Sequence, residues 1–409
     1  MSDSASAGPR DPGERNPTLD ALHGLALLFF TLVDLPVYVS SFFAGVYPPL
    51  NPRYAGLELA ADSLVVALAF MKGLLLFAFL FGASQALIER RAGNDFKRLY
   101  ARRLHGLWAV GAAMAVGVWY GSQLPTLVLV GVASSSLRAR PPQRLLRLAL
   151  VLFLAGLAAA AAAVLCGELA PGLAGVDGKL ASYFARVKAW EDAAYSDGDW
   201  LRVARVRWEM FAGAFPLNVA INGLRMLAAA LCGMAAVRAG VFDDTPRWRP
   251  ALRRWTALTF AAGAPLHASA LWLHEGRSLE PLAALIGGGS LYVGTALWAA
   301  SFASALTLAM EEPALARLLA PVRDAGRMVL TNFVAASVFF AWLAYPYGLG
   351  LYGQLSRGTC LLVSLTTFGV LCRASSLWLS RYRFGPLEWL LRGWVYGRLP
   401  RLETSPALG

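Results

Sequence analysis

Charge is scarce in this chain. Only 15% of the 409 residues are Asp, Glu, Lys or Arg, against 57% hydrophobic residues. A soluble protein with ordinary polar loops does not have that balance. The four cysteines, Cys166, Cys232, Cys360 and Cys372, lie in or beside apolar runs and form no CxxC pair. That excludes a disulfide framework and a thiolate metal site, and leaves small core residues. There is no glycine-rich phosphate loop with its lysine, no HExxH and no GxSxG. ATP-driven transport and zinc hydrolysis therefore find no support. The first eighteen residues have neither the basic start nor the cleavage site of a signal peptide. They contain Asp3, Asp11, Glu14 and three prolines, and read as a disordered cytoplasmic tail over 1–18.

What is present is a series of long apolar runs. A spanning helix needs about 20 apolar residues. Ten such stretches are expected, near 19–42, 62–88, 104–120, 124–137, 145–166, 210–237, 255–273, 282–310, 328–347 and 358–379. The fold class is thus an all-α polytopic membrane bundle over 19–379, with Thr18 as the first cap. The net charge of +12 comes mostly from short basic segments such as ERRAGNDFKRLYARR, RARPPQR and RWRPALRRW. These alternate along the chain with loops poor in Lys and Arg, which is an orientation signal and not a nucleic-acid surface. The pattern predicts both termini in the cytoplasm of a bacterial cell, across its inner membrane. The long mixed-charge segment 168–207 becomes an extracytoplasmic loop, and 380–409, with Trp389, Trp394 and Tyr396, an interfacial tail. No internal repeat is evident.

Ionisable residues within apolar spans are costly and usually face protein or a wet cavity. His23 and Asp34 are eleven residues apart, which returns to nearly the same face of the first helix. Lys72, about ten residues into the second span, is expected near the depth of Asp34, where the two would neutralise each other. That pair reads as a structural ion pair or as part of a polar path. His267 lies at mid-depth in the seventh span, and His274-Glu275 at its outer end, where an acid/base pair would meet an external substrate. Arg225 and Arg373 either snorkel to the inner surface or bind an anion arriving from the cytoplasm.

Several stretches resemble the YeiB-type bacterial membrane proteins. The opening Leu19-Asp20-Ala21-Leu22-His23-Gly24 resembles that family's LDxLRG, and Lys72 with LLFAFLFG its GK...LFSFLFG segment. The tail is most similar: Gly326-Arg327-Met328, Leu330-Thr331-Asn332, YGLGLYGQLSR, and Arg383-Phe384-Gly385-Pro386-Leu387-Glu388-Trp389 with Tyr396-Gly397. The family is grouped by similarity with transmembrane acyltransferases. The resemblance implies transfer of an acyl group from cytoplasmic acyl-CoA to a small-molecule, glycan or lipid acceptor at the outer face, with no permanently bound cofactor and no metal. On that reading Arg102, Arg103, Arg225, Arg327 and Arg373, with Thr331 and Asn332, serve the CoA phosphates. Asp34, Lys72 and His267 line the path, and His23, His274 and Glu275 supply further acid/base groups. The chain departs from the family at Met114, where a His is usual, at Ser122, where the GD turn has Asp, and at His23 and Asp34, where Arg and Asn are usual. A non-enzymatic exporter or an inactive scaffold is the alternative.

Overall fold

The first helix, α1 (Pro17–Tyr38), is started by Asn16 and not by Thr18. The Asn16 side chain accepts hydrogen bonds from the backbone N–H groups of Thr18 at 3.0 Å and Leu19 at 3.2 Å, and Pro17 occupies the first helical position. The computed structural model describes residues 15–41, 54–174, 177–275 and 281–403, apart from some side chains between 163 and 184, at 214 and 217, and at 274, 275, 281 and 284.

Fourteen more α-helices follow among the described residues. They are α2 (Gly56–Leu68), α3 (Lys72–Ala92), α4 (Phe96–Gly117), α5 (Leu124–Ser136), α6 (Pro142–Ala174), α7 (Asp177–Asp197) and α8 (Trp200–Arg238). Then come α9 (Thr245–Glu275), α10 (Pro281–Ala309), α11 (Pro313–Leu318), α12 (Ala320–Arg327), α13 (Val329–Ala344), α14 (Arg357–Leu379) and α15 (Pro386–Tyr396). Only an isolated bridge between Tyr382 and Glu403 interrupts the helical pattern with strand-like pairing among the described residues.

Six helical stretches are long and apolar enough to cross a bilayer. They are Pro17–Tyr38, Gly56–Gly117, Pro142–Ala162, Asn218–Arg238, Leu285–Ala309 and Arg357–Leu379, and α12 with α13, bent by 88°, would make a seventh. The protein is therefore a helical membrane protein, but this measure does not reach the expected ten. The reasons are physical. The 62-residue Gly56–Gly117 stretch counts once although it breaks at Met71 and again at Gly93. Helix α5, with 13 residues, is short for a crossing, and α9 carries Pro250 and Pro265. Within 168–207, α6 runs on to Ala174, α7 fills most of the remainder, and α8 begins at Trp200.

The outward surface suits lipid. Leu150 is 59% exposed, Val151 61%, Leu362 67% and Val370 61%, areas that hydrocarbon covers at no cost. Inside a bilayer, burial of leucine gives little preference for protein over lipid, so close backbone packing has to hold the helices. The α3–α8 crossing does this with two glycines. A Cβ on Gly82 would stand 1.9 Å from the carbonyl oxygen of Ala230, and one on Gly233 would stand 1.9 Å from that of Phe79. Around the contact lie Leu76, Leu80, Leu231 and Met234, all buried.

Candidate functional site

The Met71 break decides what Lys72 does. Met71 has a φ of +60°, which ends α2 and restarts the chain as α3. Lys72, fully buried, turns its Nζ back to the carbonyl oxygens of Val66 at 3.3 Å and Phe70 at 3.5 Å. A cation at a helix C-terminus meets the negative end of the dipole and satisfies carbonyls the break has released. The ammonium also sits 5.5 Å from the Trp298 ring centroid, and His267 stacks on the same indole at 4.1 Å. His267 Nδ1 meets the Gly263 carbonyl oxygen at 2.9 Å, and its Nε2 is buried without a partner. So Lys72 and His267 do come together, across Trp298. The expected Lys72–Asp34 pair does not form. Among the described residues Asp34 has no ion-pair or hydrogen-bond partner, and its carboxyl borders a cavity that Lys72 does not line.

That cavity has a volume of about 980 Å³. It lies at the C-terminal ends of α1 and α4, with Asp34 from the first and Ser40 and Ser41 just after it, Met114 from the second, and Trp119 and the Gly121-Ser122-Gln123 turn beyond that. Helix α7 closes it with Lys188, Asp192 and Ser196, and the start of α14 adds Arg357. Helix α8 contributes a hydrogen-bonded ladder. Asn218, Asn222 and Arg225 are spaced four and three apart and so share one face. Asn218 Nδ2 donates to Gln123 Oε1 at 3.1 Å and to Thr126 Oγ1 at 2.8 Å. Asn222 Nδ2 donates to Asn218 Oδ1 at 2.6 Å, and Arg225 Nη2 donates to Asn222 Oδ1. The guanidinium stacks on Tyr292 with 5.2 Å to the ring centroid. The sequence carries this signal openly as NVAINGLRM within an apolar helix. Arg225 stands thirteen residues before Arg238, about 20 Å along the helix, and lines the cavity together with Lys188, Asp192 and Ser196 of α7.

Near the mouth, Glu191 is 1% exposed and accepts hydrogen bonds from Ser41 Oγ at 2.5 Å and Tyr120 OH at 3.1 Å. Burial lifts its carboxyl to about 7. A raised carboxyl pKa means that its stabilising share is complete below about 4.5 and is lost as pH rises through about 7. On the order of 3 kcal/mol of stability should therefore fade between about pH 5 and pH 8. Melting curves of the wild type should show that slope, and Glu191→Gln, neutral throughout, should flatten it. An unchanged slope in the variant would place the titration elsewhere. Deeper still, Arg207 is fully buried, donates to the Gly117 carbonyl at 2.7 Å and to Tyr347 OH at 2.8 Å, and stacks on Tyr345. No local pattern singles it out, since its partners are 90 and 140 residues away.

The cavity floor is aromatic. Phe30 and Phe333 line it, 5.5 Å apart between centroids, and Phe77 packs on Phe30 at 4.8 Å. Beyond Phe77 stands His23, 6.5 Å away between centroids, with Nδ1 on the Leu19 carbonyl oxygen at 2.8 Å. The charges of Arg15 and Arg103 reach His23, and those of Arg15 and Arg103 also reach Arg392. Burial, followed by Arg15, lowers the Arg392 guanidinium to about 10. Arg327 is within reach of Arg15 and lies 3.9 Å from Asp324, while Asp20 pairs with Arg15 at 3.4 Å. Arg103 Nη1 and Arg327 Nε are buried without partners. Of the expected phosphate-binding set, then, Arg103 and Arg327 gather at one end of the bundle, joined by Arg15 and Arg392. Arg102 stays exposed, with Nη1 3.4 Å from the Val395 carbonyl oxygen. Arg373 is exposed on α14 and joins neither group. The side chains of His274 and Glu275 lie outside the described residues. Among the described residues no group of His, Cys, Asp and Glu is placed to hold a metal ion.

The signature residues of the tail build a clasp. Glu388 accepts from the backbone N–H of Leu330 at 2.7 Å and of Thr331 at 3.2 Å, and from Thr331 Oγ1 at 2.5 Å. Thr331 Oγ1 in turn accepts from Leu387 N–H at 3.0 Å. Asn332 Nδ2 donates to the Ala325 carbonyl oxygen at 2.9 Å and to Ser375 Oγ at 2.8 Å. Pro386 opens α15, Trp389 Nε1 donates to the Pro400 carbonyl oxygen at 2.7 Å, and Tyr396 packs at the far end against the α4 cluster. Gly326 lets α12 touch α1, since a Cβ there would lie 1.8 Å from the Asp20 carbonyl oxygen; one on Gly385 would lie 2.8 Å from Thr331 Oγ1. Thr331 and Asn332 are thereby engaged within the protein.

A family model described as a protein of unknown function, DUF418, matches residues 236–398, the part of the chain that holds this clasp. The uncharacterized protein YxaH of Bacillus subtilis (strain 168) is 27% identical over 408 residues, covering 96% of this chain and 97% of the relative. The uncharacterized protein YeiB of Escherichia coli (strain K12) is 26% identical over 403 residues, covering 93% and 96%. No solved structure matches the chain. Similarity that runs almost end to end in these relatives, together with the matching carboxy-terminal region, supports a likeness to the YeiB-like proteins.

Proposed function

We propose that this membrane protein transfers an acyl group to an acceptor held in the cavity beside α7. The observation that carries the reading is Asp34: a carboxyl with no ion-pair or hydrogen-bond partner among the described residues, bordering a cavity within the bundle. A base must reach the hydroxyl or amine it deprotonates, and Asp34 is free to do so. The acyl donor is a cytoplasmic acyl-CoA. Its phosphates sit among Arg15, Arg103, Arg327 and Arg392, where two guanidinium groups retain unused buried N–H donors. The pantetheine arm carries the thioester to the acceptor past Phe30, Phe77 and Phe333, which separate the two ends; the acceptor oxygen or nitrogen bonds to the acyl carbon as the carbon–sulfur bond breaks, and CoA leaves as its thiol. In this arrangement the chain crosses the inner membrane ten times. The stretches not counted above as separate crossings are the α4, α5 and α9 passages, and both termini lie in the cytoplasm, following the basic short loops.

A second reading rests on a specific observation. Met114 and Ser122 both line the cavity, at positions where the YeiB-type resemblance leads one to expect His and Asp. Without them the cavity would serve binding or export of a solute without chemistry. Mass spectrometry of metabolites, glycans and lipids separates the two. A strain lacking the gene and a strain carrying Asp34→Asn should lose the same acylated species. Unaltered acylation in both would leave the binding reading. Impermeant labelling of a cysteine introduced at Lys188 should succeed in whole cells, and labelling only after lysis would reverse the orientation.

A further inference from the structure

Three cations line the cavity: Lys188, Arg225 and Arg357. Lys188 pairs with Asp192, and Arg357 lies 3.3 Å from Asp62. Arg225 has no carboxylate partner among the described residues. It is 92% removed from solvent, since only 8% of its surface is exposed, and its Nε is buried with no hydrogen-bond partner. A guanidinium taken out of water without a counter-ion is costly, and such groups normally pair or bind a ligand. The Asn218–Asn222 ladder and the Tyr292 ring hold it in one orientation, which leaves the remaining N–H edge for a planar, two-point partner.

We infer that Arg225 is an anion anchor: the solute that enters this cavity carries an oxyanion, a carboxylate or a phosphate monoester, on an organic body. Asp34 on α1 puts a carboxyl on one side of the cavity and Arg225 on α8 a cation on the other, so a bound solute is oriented with its oxyanion on α8 and its neutral hydroxyl or amine toward α1. The apolar wall of Phe30, Val33 and Phe333 accepts the body between them. This deepens the reading above, because it takes the cavity as the acceptor's site.

Calorimetry on the full chain in nanodiscs of uncharged phosphatidylcholine tests it, with phenyl phosphate and benzoate as anionic probes and benzamide as the neutral analogue. Both anions should bind, benzamide at least tenfold more weakly, and affinity should fall as salt rises. Arg225→Gln should weaken the anions by about tenfold or more, Arg225→Lys by less, and Asn222→Ala, which frees the guanidinium from its support, by an intermediate factor. Replacing part of the lipid with phosphatidic acid, whose headgroup is a phosphate monoester, separates two sources of the oxyanion. Competition by that lipid assigns the anchor to a headgroup, and no competition assigns it to a soluble anion. Equal binding of benzamide and benzoate to the wild type would overturn the inference even where Arg225→Gln fails to fold, as would undiminished anion binding in a folded Arg225→Gln. Anion binding by a protein that acylates nothing would end the transfer reading and leave the anchor. Acylation of an acceptor with no anion binding would do the reverse.

Discussion

Glu388→Ala is expected to cost about 2–4 kcal/mol and to release α15 from the bundle. The size follows from what the carboxylate does. Helix α13 starts immediately after an 88° break, so its first N–H groups have no helical acceptor. Glu388 takes those of Leu330 and Thr331 together with the Thr331 hydroxyl. Its negative charge also lies at the positive end of the α13 dipole. Removing it strands three donors in a part-buried place where water is a poor substitute. Glu388→Gln keeps an acceptor oxygen and loses the charge, so its loss should be about half. Thr331→Val, which deletes the hydroxyl that also receives Leu387 N–H, should fall in the same range. Thermal melting in detergent gives the magnitude, and limited proteolysis near 380–385 reports whether α15 has come away. A Glu388→Ala protein that melts with the wild type and resists protease would show that the clasp contributes nothing.

The tail motif was legible in the sequence as a signature, but its purpose was not. Arg327, Thr331 and Asn332 share a stretch of helix, and proximity of polar residues on one face suggests a ligand. The contact that uses Thr331 comes from Glu388, 57 residues later, and no local periodicity reports such a partner. Lys72 shows a different failure. Counting residues from the start of a span gives a depth only if the helix is continuous, and the left-handed Met71 breaks it. The lysine is then at a helix start with loose carbonyls beside it, and they take its charge in place of Asp34. Asp34 and Arg225 were recognisable because an ionisable side chain within an apolar run is itself the signal. Their common cavity was not, because it is assembled from α1, α3, α4, α7, α8, α10, α13 and α14. The ten apolar runs were visible for the same reason the helices form, whereas the breaks at Met71, Gly93 and Met328 depend on tertiary fit.

The α3–α8 contact should be the most sensitive purely structural point in the bundle. Gly82→Val or Gly233→Val is expected to cost about 3 kcal/mol or more, at the upper end of what overpacking does. Each new Cβ would lie 1.9 Å from a backbone carbonyl oxygen of the facing helix, and a carbonyl fixed in a helix cannot turn aside as a side chain can. The helices must separate by an ångström or more, which opens voids around Leu76, Leu80, Leu231 and Met234. Lipid tails solvate the parted surfaces as well as protein does, so nothing outside the contact restores the lost packing. One separation relieves both clashes. The double variant should therefore lose clearly less than the sum of the two single losses, a coupling of the kind expected for residues in one interface. Melting midpoints of the four proteins in one detergent, with size-exclusion profiles to confirm that each is monodisperse, measure this directly. Single losses below about 1 kcal/mol, or strictly additive ones, would mean that the two helices are not held by this glycine pair.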